Sequence, residues 1–316
     1  MLESLRRLII PLGWGVQALV VDNASTDSTA EIVREISIAN IEVRYTYEPR
    51  RGKSHALNRA AGETQSDYLL FLDDDVFPSA NWLRQMVQPL LDGTCDAVNG
   101  NLILAPDLNR PWFDRLHLLW LAISLDAQSR DWSRELIGAN CGFCRSVLAK
   151  VSGWEPSLGP GPDGVGYCED TYLGRQLAAA GCKIDYLPAA IAVHCVDPER
   201  LKRRAWLNEA RKRGRSEAYI LHQFERIQIV APRLKHLWYM LKISTRRIVQ
   251  PPPPLEAEGC PPWEMSYVAR LAKYRYFIDL HRSWMFPFRY PTMATNPPSR
   301  ALSKPLPPRP TDISPA

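Results

Sequence analysis

Residues 68–77 read YLLFLDDDVF, an apolar run from Tyr68 to Leu72 that ends at once in Asp73, Asp74 and Asp75. The run is continuous rather than alternating and polar residues bound it, which predicts a short strand buried on both faces. Three carboxylates then sit together at its carboxyl end, the edge at which open α/β sheets bind ligands. Adjacent carboxylates repel one another unless a cation or a proton neutralises them. A divalent cation site fits this chemistry: Mg²⁺ or Mn²⁺ takes hard oxygen ligands, keeps several waters and completes its shell with phosphate oxygens. A solvated acidic turn after a strand is the plain alternative for three acids taken alone.

Outward from that strand the chain alternates strand and helix. Val16–Val21 reads as a strand running into DNASTD at 22–27, a turn rich in Asx and Ser/Thr chemistry that can cap a helix over Ser28–Ile38. Glu42–Tyr47 alternates as a strand, Pro49 and Gly52 break it, and Lys53–Ala61 is a helix opening beside Arg50 and Arg51. After the acid-tipped strand come a helix over Asn81–Leu91 and a strand over Asp96–Leu104. Such alternation predicts a mostly parallel sheet with helices on both faces. Met1–Leu8 has Leu2, Leu5 and Leu8 three apart and reads as part of an amphipathic helix. Trp112–Leu125 reads as an apolar helix, with core packing favoured over a membrane-facing or acceptor-facing role. Leu136–Phe143 reads as a strand, and the Gly- and Pro-rich stretch 153–166 as a binding loop or lid. Glu169 and Asp170 follow it at the head of a helix over Thr171–Ala180; after a short strand at Lys183–Leu187, His194 closes a small apolar run.

Composition is that of a globular protein: of 316 residues, 46% are hydrophobic and 23% charged, which argues against wholesale disorder. The net charge of +5 hides an asymmetry, with 17 Lys and Arg against 25 Asp and Glu over 1–198 and 22 against 9 over 199–316. An acidic body therefore precedes a basic region, which would suit an anionic membrane surface, an acidic substrate or nucleic acid. No recognised nucleic-acid motif accompanies it, so no nucleic-acid partner is expected. The seven cysteines are odd in number and scattered, which points to a reducing cytosol; the CxxC at Cys141 and Cys144 lacks a second pair, so packing is its expected role. No apolar run approaches the length of a membrane span.

If the sheet is as drawn, the loop after Val21, the helix start at Lys53 and the acids Asp73–Asp75 share one edge. A cation held there by Asp73 or Asp75 would bridge two phosphates of a nucleotide diphosphate, Lys53 would add a charge, and Asp22 and Asn23 would either face the nucleoside or simply form the turn.

The stretches VVDNASTDST (20–29), GKSHALNRAAG (52–62), FLDDDVFP (71–78), GANCGFCRSVLAKVSGWE (138–155) and CEDTYLGRQLAAAG (168–181) together resemble, in order and spacing, the motif series of family 2 glycosyltransferases with the GT-A fold. The resemblance covers roughly residues 1–215. It implies an α/β GT-A fold and inverting transfer of a sugar from a nucleotide sugar, UDP-linked in the first instance, with Mg²⁺ or Mn²⁺. It implies donor contacts from Asp22, Asn23, Lys53, Asp73 and Asp74. Asp73 and Asp75 would be the outer acids of the DxD motif and His194 a further metal ligand. Asp170 would be the general base, with Glu169 orienting it or the acceptor. An ionised Asp at a helix start is also a plain N-terminal capping group. Family members begin with a strand and a Thr/Tyr-Asn turn, whereas this sequence opens at the helix that should follow: either the start codon is misassigned or the protein lacks a central strand, and in the second case the sheet has a gap. With that gap, a degenerate GT-A-like binding or scaffold protein is the competing function.

From Arg200 the composition turns basic and aromatic. Residues 216–290 are expected to form a helical extension with a peripheral contact to the cytoplasmic face of a membrane through 200–250, where Leu234–Val249 reads as a basic amphipathic helix. The Pro-rich stretch 291–316 is expected to be disordered. A glycan or a lipid-linked molecule is the expected acceptor, in polysaccharide or glycolipid synthesis.

Overall fold

A computed structural model of the chain describes residues 1–125, 132–133, 135–162 and 165–283. In order these form β1 (Gln17–Asp22), α1 (Thr29–Glu35), β2 (Glu42–Tyr47), α2 (Lys53–Glu63), β3 (Tyr68–Leu72), β4 (Val76–Pro78), α3 (Trp82–Leu91), β5 (Ala97–Leu104), α4 (Arg115–Trp120), β6 (Asn140–Cys144), α5 (Glu169–Ala179), β7 (Ile184–His194), α6 (Arg203–Gln223), α7 (Pro232–Val249) and α8 (Pro262–Ser283). The α/β class is as expected. The tail expected to be disordered, 291–316, lies outside the described residues.

The sheet is not one mostly parallel layer. β1 and β2 form a two-stranded parallel sheet, and the other strands form a second sheet in the order β3-β6-β5-β7-β4. Within the larger sheet only β5 and β7 run parallel; β3 with β6, β5 with β6 and β4 with β7 are antiparallel. Among the described residues β1 pairs only with β2 and β3 only with β6, so the strands fall into two sheets that share no ladder. The effect on β3 is visible in its burial: Leu69 and Phe71 are buried while Tyr68, Leu70 and Leu72 are only half-buried, so one face rather than both is closed.

The larger sheet carries a core on each face. On one side α3 packs Trp82, Met86 and Leu90 against Val76, Val98 and Leu102. On the other, Leu173 and Leu177 of α5 and Ala61 of α2 meet Phe71, Phe143 and Trp154. A third cluster joins Leu104, Leu121 and Ile123 to Trp206, Leu207 and Ala210 of α6, Ile243 of α7 and Met265 of α8. The carboxy-terminal helices therefore share a core with the α/β body, and the boundary expected at residue 215 falls inside α6.

Two expected helices differ. Residues Leu2–Arg7 form a 3-10 helix, which the three-residue spacing of Leu2, Leu5 and Leu8 already favours over an α-helix. The helix expected over Trp112–Leu125 stops at Trp120, because Ala122 takes a positive φ of 61° and Ser124 turns back to donate from its N–H to the Leu102 carbonyl at 2.8 Å. Leu121 and Ile123 are buried, the core role expected of that stretch. Cys141 and Cys144 lie three apart on β6, where side chains alternate faces, so the CxxC cannot close on one ion. Among the described residues no helix is long and apolar enough to cross a membrane.

Candidate active site

The carboxyl end of β1 is braced by its own hydrogen bonds. At the end of β1, buried Asp22 accepts from the Ser25 N–H at 2.8 Å and from the Tyr45 hydroxyl at 2.7 Å. Burial pushes its carboxyl upward, but these hydrogen bonds and the Arg34 charge outweigh it and leave it below the usual range. Asn23 donates to the carbonyls of Glu48 and Arg50 and accepts from the Gly52 N–H at 2.6 Å. Both residues thus form the turn, the plainer of the two roles open to them. Their bonds fix the entry to α2, where Gly52 has φ 138° and a Cβ on Gly161 would stand 2.7 Å from the Gly52 Cα. Only glycines allow these two backbones to meet so closely.

That contact seats the Gly- and Pro-rich loop on α2. The Lys53 N–H donates to the Pro160 carbonyl at 2.9 Å, the Ser54 hydroxyl to the Leu158 carbonyl at 2.9 Å, and Asn58 both donates to the Trp154 carbonyl and accepts from its N–H. Asp163 and Gly164 of the loop lie outside the described residues.

From the start of α2 the Lys53 ammonium reaches both oxygens of Asp73, at 2.7 and 2.8 Å, and stands 3.8 Å from Glu169. Burial alone would lower its pKa, yet the charges of Asp73, Glu169 and Asp170 raise it, so Lys53 is a fixed cation. Glu169 is buried, and desolvation first, then the Asp170 charge, push its carboxyl well up. Asp170 accepts from the Gly138 N–H at 3.0 Å through one oxygen and from the Thr171 N–H at 2.7 Å through the other, which fixes the plane of the carboxylate. The residue before this pair, Cys168, is held at φ 76°, an uncommon backbone state for a non-glycine.

Across the acidic turn Asp74 is exposed, and Asp75 stands 3.2 Å from Nε2 of buried His194. The pairing is set by the ladder, since β4 lies against β7 with Val76 opposite His194. Burial pushes the Asp75 carboxyl upward, but the hydrogen bond and charge of His194 bring it below the usual range. The other ring nitrogen, Nδ1, faces the Leu121 carbonyl at 2.9 Å. A carbonyl only accepts, so Nδ1 carries a proton. Nε2 then faces a carboxylate, and only a second proton or a cation between the two groups satisfies that contact. The donor set at Asp75 and His194 therefore fits a divalent ion. Among the described residues no group of three His, Cys, Asp or Glu side chains is placed so as to hold a metal ion.

The order of these pieces along the chain has a counterpart among known proteins: residues 1–152 match the family model described as Glycosyl transferase family 2. Over those residues the chain is similar to glycosyl transferase family 2. The chain is 26% identical over 243 residues to the probable glycosyltransferase YdaM of Bacillus subtilis (strain 168), an overlap of 74% of the chain and 52% of that protein. It is 25% identical over 215 residues to the pre-mycofactocin glycosyltransferase of Mycobacterium tuberculosis (strain CDC 1551 / Oshkosh), covering 65% of the chain and 42% of that protein. The chain thus spans about half the length of these relatives, or less. Among solved structures, S. aureus TarS 1-349 in complex with UDP superposes with a TM-score of 0.47 at 14% identity, covering 92% of this chain and 88% of that one.

Of the site residues expected from sequence, the structure brings Lys53, Asp73 and Glu169 into one ion-pair group and Asp75 and His194 into another, with Asp170 adjoining the first. Asp73 is thereby drawn to Lys53 and not to His194. The sequence reading did not single out Tyr45, Ser54, Asn58 or the Gly138 N–H, which brace Asp22, the loop and Asp170. Ser54 and Asn58 did carry a signal: they lie one and five residues after Lys53 inside the GKSHALNRAAG stretch.

Proposed function

We propose that this chain transfers a sugar from a nucleotide-diphosphate sugar, UDP-linked in the first instance, to a hydroxyl of a glycan or lipid-linked acceptor with inversion, in polysaccharide or glycolipid synthesis. The GT-A arrangement, with donor phosphates at the carboxyl end of β3, belongs to the same reading. The observation that carries it is the Lys53 ammonium, bidentate on Asp73 and 3.8 Å from Glu169, because it joins the acidic turn after β3 to the Glu-Asp pair heading α5. The glycosyltransferase names of the relatives support transfer over a binding-only role.

In this mechanism Asp170 takes the proton of the acceptor hydroxyl as its oxygen bonds to the anomeric carbon, and the electrons of the breaking bond leave with the diphosphate. The Gly138 and Thr171 N–H groups occupy one lone pair on each Asp170 oxygen and leave others for that proton. Glu169, behind it, orients the base and the acceptor. Lys53 holds Asp73 in place and adds positive charge where negative charge develops. Asp75 and His194 are the residues that would hold Mg²⁺ or Mn²⁺, with Asp73 and Asp74 on the same turn. Bound there, the ion supplies electrostatic stabilisation of the departing diphosphate. Asp22 and Asn23 shape the loop beside the nucleoside. Peripheral attachment at the cytoplasmic face of a membrane, through 200–250, would bring a lipid-linked acceptor to this edge.

Two variants test the assignment together. Asp170→Asn is expected to lower kcat by about 10²- to 10⁴-fold while UDP binding, followed by calorimetry, stays unchanged. Asp75→Ala is expected to weaken the Mn²⁺-dependent part of UDP binding. Full turnover by Asp170→Asn would remove the assigned base, and UDP binding without any turnover in the unsubstituted chain would favour the binding-only role.

A further inference from the structure

Helix α7 has two apolar stripes where a helix packed at a protein surface needs one. The first, Pro232, Tyr239 and Ile243, is buried, with the Tyr239 ring 5.5 Å from Tyr267 and 5.7 Å from Tyr274 on α8. The second, on the opposite side, comprises Leu234, Leu237, Trp238, Leu241, Ile248 and Val249, each more than half exposed. Their spacing of three and four places them on one solvent-facing stripe. The segment that leads into the helix adds Val230, also exposed.

Charge defines what covers this face. Helix α7 contains no Asp or Glu. Arg233, Lys235 and Lys242 flank the exposed stripe and make no ion pair among the described residues, and the Lys242 ammonium lies 3.7 Å above the centroid of the Trp238 ring. The acids nearest along α8 are already matched: Glu264 by Arg203 and Arg247, and Asp279 by Arg275. By contrast, the cations of α6 are partly structural, with Arg203 on Glu264 and Arg213 on Glu209. The basic region 200–250 thus divides into a helix that builds core, α6, and a helix that presents apolar side chains rimmed by unmatched cations, α7. A Trp-Lys pair beside aliphatic residues is the composition of an interfacial helix, whose apolar side chains enter the acyl boundary while its cations meet anionic headgroups.

We propose that the exposed face of α7 docks on an anionic lipid bilayer, with Leu234, Leu237, Trp238 and Leu241 inserted and Arg233, Lys235 and Lys242 on the headgroups. The proposal narrows the peripheral-contact part of the functional reading to one face of one helix, and it stands on the exposure of that face whether or not the chain transfers a sugar. The test is flotation of the full chain with vesicles of phosphatidylglycerol and phosphatidylcholine against vesicles of phosphatidylcholine alone. Binding is expected to the anionic vesicles only, to weaken at high salt, and to fall at least tenfold for Leu237→Glu with Leu241→Glu and for Lys235→Gln with Lys242→Gln. Because the lysine variant removes no buried side chain, it keeps the test decisive if the glutamate variant loses its helical circular dichroism. Equal binding to both vesicle types, absence of binding, or unchanged binding by the lysine variant would overturn the proposal. So would a dimer in light scattering that the glutamate variant dissociates, since the face would then join two copies of the chain. UDP binding measured on the same variants separates this outcome from failure of the transferase reading, because neither pair of substitutions touches the donor edge.

Discussion

Glu48, which no motif marks, ends β2 and is buried, yet its carboxylate accepts three hydrogen bonds from Arg50: the backbone N–H at 2.9 Å, Nε at 2.7 Å and a terminal guanidinium nitrogen at 2.9 Å. The guanidinium beside it holds its carboxyl down at about 2, against a burial effect in the other direction. The Arg50 carbonyl in turn accepts from Asn23, so one small network fixes the loop that delivers Gly52 and Lys53. A depressed folded-state pKa contributes stability above the unfolded value of about 4.5, and that contribution is lost as pH falls toward about 2. Urea midpoints are therefore expected to drop between pH 5 and pH 3, and Glu48→Gln to be less stable at pH 7 with a shallower drop; an identical pH profile for the two proteins would exclude Glu48 as the source. At this scale the chemistry-bearing acids were legible from their types and order. The groups that hold them, Tyr45, Asn58 and Glu48, were not, since each acts through a contact with a distant segment and nothing in its local sequence announces it.

Elements were easier to read where one period dominates. β2 and β3 fall where alternation and a bounded apolar run placed them, and α7 begins two residues before its expected start. Reading failed where a tertiary contact cuts an element short, as at α4, or where the period itself was misassigned, as in the 3-10 turn at Leu2–Arg7. The helical region after Arg200 shows how close approach is decided by one residue. Gly214 of α6 lies so near α8 that a Cβ there would collide with the Ala269 carbonyl oxygen, a backbone atom that cannot swing aside. Gly214→Ala is expected to destabilise the protein by about 1–3 kcal/mol through overpacking, read as a lower denaturant midpoint. An unchanged midpoint would mean that α6 and α8 have room to separate. Because Lys212 and Ser216 on the same helix contact Gly166 and the Tyr167 N–H, the variant is also expected to loosen the loop that precedes Glu169.

For the whole molecule the main consequence of the topology is uneven stability. The two-stranded sheet of β1 and β2 buries few side chains of its own, whereas β5 at the centre of the larger sheet is buried along most of its length. Segments with few buried apolar contacts open at lower free energy than the global transition. Hydrogen exchange is expected to be faster in β1 and β2 than in β5 and β6, and binding of UDP with Mn²⁺ is expected to slow exchange at residues 48–55. Equal protection of both sheets would show that they act as one unit despite sharing no ladder.

Legible in the residues alone were the α/β class, the strand that carries Asp73–Asp75, the Glu-Asp pair at the head of a helix and the family resemblance of five ordered motifs, because apolar periodicity and residue type are local properties. Tertiary structure alone decided that most pairings in the larger sheet are antiparallel, that Lys53 joins Asp73 to Glu169 while Asp75 goes to His194, and that α6 lies in the core while α7 shows an apolar face to solvent. Strand partners, ion-pair choice and burial each depend on which distant segments are brought together, and no local pattern in a chain encodes that.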